Sequence, residues 1–146
     1  MVGFGVKNDR RIIMKGRYKY YQPNRLDLKD EYGDCVIRAL SKFFNLSWID
    51  TFHKCLPIIE KYQMLPGQFF FAAQDDKIND ELGIRRIPIS NKRGSKRPTV
   101  ESFAKSHPTG TYIVKVASHV VAVVDGYYYD TWDSGEKSLY AYFERI

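Results

Sequence analysis

Two periods of apolar spacing organise this chain. After Gly33-Asp34, the residues Val36, Ala39, Leu40 and Phe43 fall at i, i+3, i+4 and i+7. That is the apolar face of a helix running from Cys35 to about Phe44. Asn45-Leu46-Ser47 is a break. Ser47, with Asp50 three residues on, resembles a capping box and predicts a second helix, ended near Leu56 by Pro57. Ile58 to Met64 reads as a further helical turn or two before Pro66-Gly67. Phe69-Phe70-Phe71-Ala72 begins a buried segment, and Asp76–Leu82 is a short helix stopped by Gly83. The stretch Gly83–Ile89 reads as an edge strand because Pro88 is tolerated mainly at edges. Thr99 caps a short helix ending before His107-Pro108.

The pattern then changes from helical spacing to β-branched runs. Tyr112-Ile113-Val114-Lys115-Val116 is a strand. Residues 119–130 read as two more strands joined by Asp125-Gly126, a pair suited to a type I′ turn, where both central residues need φ > 0. A two-residue turn there pairs Val124 with Tyr127, Val121 with Asp130 and His119 with Trp132. His119, Val121, Asp130 and Trp132 then share one face, with Asp133 on the other. Asp130 becomes the diagonal neighbour of His119, at a Cβ distance of roughly 7 Å or less. Leu139–Phe143 is a final strand. Near the start, a short strand is expected around Arg11–Met14, and residues 21–33 form a polar approach loop. Helices followed by antiparallel strands make the class α+β, in one domain covering residues 1–146.

Candidate chemistry sits where these elements begin. Asp34 has the character of an N-cap, which places Cys35 at the first helical position. There the free amides and the helix dipole favour a thiolate. Taken alone, a free cysteine such as Cys35 is more commonly a small buried hydrophobe, and a lone strand histidine is usually a core residue. Together with an acid placed by hairpin geometry, they supply a nucleophile, a base and a group that fixes the base's tautomer. Cys55 lies late in its helix and reads as packing, His53 as a surface or half-buried residue, and His107, in a Ser-His-Pro turn, as a poor base. No Cys-x-x-Cys pair or His/Cys cluster accompanies them, so neither a metal nor a cofactor is expected.

Residues Gly33–Leu40, the Thr111–Val114 strand, and His119–Gly126 with the following Tyr129-Asp130-Thr131-Trp132-Asp133 resemble a family of small, phage-encoded proteins similar to papain-like cysteine peptidases. The likeness runs from about Asn24 to the end. It implies a papain-like fold, with the Cys35 helix packed on a C-terminal antiparallel sheet. It also implies that Cys35 is the nucleophile, His119 the base and Asp130 the orienting residue, with a protein or peptide substrate. Such enzymes commonly place a Gln shortly before the nucleophile to stabilise the oxyanion. None stands among Leu28–Tyr32, which leaves Gln22 and Asn24, the latter slightly preferred, or plain turn roles for both.

Composition adds a rival. The 146 residues carry a net charge of +6, 15% aromatic residues and eleven Tyr. Residues 1–20 and the loop 91–97 are basic. Lys92, Arg93, Lys96 and Arg97, or the N-terminal cations interleaved with Tyr18, Tyr20 and Tyr21, could bind nucleic acid or an acidic partner, with or without hydrolase activity on the same scaffold. The ordinary role of such charge is solubility. No apolar run is long enough to span a bilayer, and the N-terminus lacks a secretory signal's apolar stretch, so a cytoplasmic location with reduced thiols is expected.

Overall fold

The computed structural model describes residues 16–70, 75–90, 92 and 94–146. The helices are α1 (Cys35–Phe44), α2 (Trp48–Tyr62), α3 (Asp75–Leu82) and α4 (Val100–Ser106), with a 3-10 turn at Pro66–Gln68. The strands are β1 (Tyr18–Tyr20), β2 (Ile84–Pro88), β3 (Thr111–Val116), β4 (His119–Val124), β5 (Tyr127–Asp130) and β6 (Ala141–Arg145). They form one six-stranded sheet in the order β1-β5-β4-β3-β6-β2. The class is α+β.

The sheet is mixed rather than antiparallel throughout. β1 runs parallel to β5, with Tyr20 opposite Asp130, while every other pairing is antiparallel. It is also not purely C-terminal, since β1 precedes all the described helices and β2 lies in mid-chain. Three residues with mostly polar flanks gave β1 too short a pattern to stand out. The strand expected at Arg11–Met14 lies outside the described residues, as does part of the Phe69–Ala72 segment, of which Phe69 and Phe70 are buried.

Both faces of the central strands are covered, which explains their unbroken apolar runs. On one face Ile113, Val120, Ala122 and Phe143 pack with Val36, Ile37, Leu40 and Phe43 of α1, Cys55 and Ile58 of α2, and Ile78 of α3. On the other, Val114, Val116, Val121, Val123 and Tyr128 pack with Val100, Phe103 and Ala104 of α4.

α2 does not end near Leu56: it continues through Pro57 to Tyr62. Thr51, Cys55 and Ile58 are its buried residues, spaced i, i+4, i+7, so the apolar stripe crosses the proline without interruption. Core contact on that face outweighs the one backbone hydrogen bond a proline removes. Ser47 caps this helix as expected, its hydroxyl accepting from the Asp50 amide at 3.1 Å. Thr99 caps α4. The last strand begins at Ala141, two residues later than its β-propensity suggests, because Leu139 and Tyr140 lead into it through bonds to Pro98 and Lys115 carbonyls.

The Asp125-Gly126 turn has φ of 50° and 84°, and the register is Val124↔Tyr127, Val123↔Tyr128, Ala122↔Tyr129. Gly126 is required twice over, since a Cβ there would also meet Pro108 Cα at 3.2 Å. Gly126→Ala is expected to destabilise the fold by about 1–3 kcal/mol. A denaturant melt of that variant checks it.

Candidate active site

The site forms where the start of α1 meets one end of the sheet. His119 follows directly on the tight Ala117-Ser118 turn, with Ser118 in the left-handed region at φ 53°. This puts the imidazole at the sheet's end rather than within it. Asp130 closes β5 alongside. His119 Nε2 and Asp130 Oδ2 are 2.6 Å apart, with Asp130 2% exposed. The structure therefore brings Cys35, His119 and Asp130 together. Asp133 turns elsewhere, accepting from the Tyr128 hydroxyl and the Gly135 amide.

With Nε2 committed to Asp130, Nδ1 is the ring nitrogen left for the thiol. Burial alone would raise the Cys35 thiol. The hydrogen bond and charge of His119, the Val120 backbone amide and the Arg38 guanidinium outweigh it, and the thiol lies below its ordinary value. Burial would depress His119, but the bonds to Asp130 and Cys35 prevail and raise it to about 9. Both shifts favour a thiolate beside an imidazolium. Cys55 is the internal contrast: it is fully buried, and burial pushes it up to about 11.

Asp34 does not cap α1 with its side chain, contrary to its N-cap character. Its carboxylate instead accepts from Arg38 Nη1 at 2.6 Å and from Trp48 Nε1 at 2.8 Å. Two donors of longer reach, one charged, displace the weaker amide bonds. The first-turn amides stay unclaimed by that side chain, and the helix start is tied to the start of α2 instead.

Arg38 had drawn no attention in the sequence. Only 7% exposed, it spans Asp34 and Asp130, with Nη2 3.3 Å from Asp130 Oδ1. Asp130 Oδ1 also accepts from the Thr131 amide at 2.8 Å, and Oδ2 from the Ser134 hydroxyl at 2.9 Å. Four donors thus fix this carboxylate. The i, i+4 spacing of Asp34 and Arg38 was a readable signal. Ser134 lies in an irregular segment and offered none.

The side chains of Gln22 and Asn24 bond within the approach loop. Gln22 Nε2 donates to Asp30 at 2.9 Å, and Asn24 Oδ1 accepts from the Leu26 amide at 3.1 Å, so both shape the approach loop. Asp27, 3% exposed, holds that loop through the Glu31 and Tyr32 amides. Trp132 is no core residue: its ring lies 5.1 Å from that of His119 and is 43% exposed, forming an outer cover. His107 bonds the Phe103 carbonyl at 2.8 Å and stacks on the Phe103 ring, within the second core. Beside the thiol opens a cavity of about 110 Å³, lined by Cys35, Val36, Gly67, Phe70, Lys115, Ser118, His119 and Val120.

Among the described residues, no group of three or more His, Cys, Asp or Glu side chains is placed to hold a metal ion, and no helix is long and apolar enough to cross a membrane. Comparison with protein-family models, curated proteins and solved structures finds no match to this chain.

Proposed function

We propose that this protein is a papain-like thiol hydrolase acting on a peptide, isopeptide or related amide bond. The observation that carries the reading is the Cys35–His119–Asp130 alignment, with the thiol lowered and the imidazole raised to about 9. Cys35 Sγ attacks the carbonyl carbon, and the Cys35 backbone N–H at the helix start donates to the developing oxyanion. The C–N bond breaks as His119 gives its Nδ1 proton to the departing amine, leaving a thioester. His119 then takes a proton from water, which attacks the thioester and releases the acid and the thiol. Asp130 positions the ring and never meets substrate.

The test is the pH dependence of iodoacetamide alkylation at Cys35, with Cys55 followed in the same digest. Cys35 is expected to react with an apparent pKa below that of a free thiol, while native Cys55 stays inert. A Cys35 as unreactive as Cys55 would remove the nucleophile and the proposal with it.

A binding role has one specific support. Lys19 Nζ lies 4.3 Å above the Tyr127 ring and Lys42 Nζ 4.1 Å above the Tyr129 ring, with Arg17 also over Tyr127. This cationic, aromatic strip beside β1 suits an acidic partner. In the 91–97 loop Lys92 and Lys96 are exposed, Arg97 lies 4.4 Å above the Tyr140 ring, and Arg93 is outside the described residues. Should the strip bind a fluorescent single-stranded oligonucleotide, affinity is expected to fall several-fold when salt rises from 50 to 200 mM, and to weaken further in Lys19→Ala/Lys42→Ala. Equal binding by the double variant would discount the strip.

A further inference from the structure

The cavity beside Cys35 has a composition the catalytic residues do not explain. Val36, Phe70 and Val120 give it an apolar wall, and Gly67 leaves its rim open, with nothing within 4 Å of where a Cβ would stand. Among its described lining residues Lys115 is the one permanent cation. Lys115 lies on β3 directly opposite Val120, the residue after His119, and so on the sheet face that α1 covers. Among the described residues its ammonium makes a single long contact, 3.5 Å to the Val116 carbonyl, and no ion pair. Two of its three donors thus have no partner among those residues. Ser118, exposed in the turn before His119, adds a hydroxyl to the lining.

We infer that this cavity is a specificity pocket for an acidic side chain next to the scissile bond, its carboxylate held by Lys115 Nζ and Ser118 Oγ and its methylenes against Val36, Phe70 and Val120. The inference rests on the thiol-hydrolase reading and names the substrate class of that site. An apolar wall with two donors in the same lining matches glutamate: the volume suits a short side chain, and a neutral or cationic end would leave the ammonium unpaired or repelled.

The experiment uses peptidyl acyloxymethyl ketones that differ only in the residue next to the warhead, Glu, Gln, Leu or Lys. Their rates of Cys35 labelling are measured by mass spectrometry on the full chain. Each rate is divided by the same protein's rate with iodoacetamide, which needs no pocket. The wild type is expected to prefer Glu to Gln by about tenfold and Glu to Lys by more. Lys115→Met should flatten the Glu-to-Gln ratio towards unity, and Lys115→Glu should reverse the Glu-to-Lys order. A wild type without preference for Glu, or a Lys115→Glu protein that keeps it, overturns the pocket assignment while leaving the hydrolase intact. A Cys35 inert to iodoacetamide overturns both.

Discussion

With alanine at position 119, neutral-pH alkylation of Cys35 is expected to fall by at least one to two orders of magnitude, about tenfold for each unit by which the thiol rises. Without His119 the thiol loses the hydrogen bond and charge that do most to lower it, leaving only the Val120 amide and Arg38 against burial, the largest influence on it. Cys55, which burial pushes up to about 11 against the opposing charge of Lys54, marks the direction in which it moves. Hydrolytic turnover of any substrate should drop by about six orders of magnitude, the scale at which loss of a triad histidine acts in a serine protease. The pH profile follows the same logic. The pair works as thiolate and imidazolium, so activity rises through the lowered thiol pKa and falls as His119 loses its proton near 9.

The same shifts set a stability trend. His119 is raised from an ordinary value of 6.5 to about 9. Its contribution is therefore complete below 6.5 and is lost as pH climbs through about 9. Cys35, whose folded pKa is depressed, contributes above its unfolded value and loses that as pH falls through the lowered one. In Cys35→Ala only the histidine limb should remain, its midpoint below 9 because one of the two bonds that raise it is gone. Chemical denaturation between pH 6 and 10 reads this directly.

The second large effect belongs to Arg38. Arg38→Met should cost about 3–5 kcal/mol of folding stability, since it leaves the largely buried Asp34 carboxylate without its cation and takes one of four donors from Asp130, which keeps His119. Adding Asp34→Asn should recover part of that loss, because a neutral amide needs no counter-charge. If the single variant melted like the wild type, the guanidinium would be peripheral. A purely structural role would leave the Cys35 pH profile unmoved. As a positioning residue, Arg38 should instead shift it, even in molecules that remain folded.

Much of this arrangement was legible because it is local. The α1 stripe, the Asp125-Gly126 turn and alternation along β4 and β5 each involve residues a few positions apart, and together they place His119 beside Asp130. What escaped depends on long-range contact. Pro57 inside α2 is tolerated because Cys55 and Ile58 face a core built from remote strands. Asp34 gives up its capping role for Trp48, a residue on another helix. β1 is three residues of ordinary propensity, and only β5 makes a strand of it. Gln22 and Asn24 looked available because the bonds that occupy them, to Asp30 and to the Leu26 amide, belong to a loop without periodicity.

β1 has a bearing on the order in which the protein is built. Tyr21 N and the Tyr18 hydroxyl both bond the Asp130 carbonyl, the latter across 112 residues of sequence. β6, an interior strand between β3 and β2, is made last of all. On the ribosome, the thiol helix therefore emerges long before the strands that give it a base, and the sheet cannot close until almost every described residue has been synthesised. Cys35 therefore waits for His119 over most of that interval, and the contacts that favour its thiolate form only with the sheet.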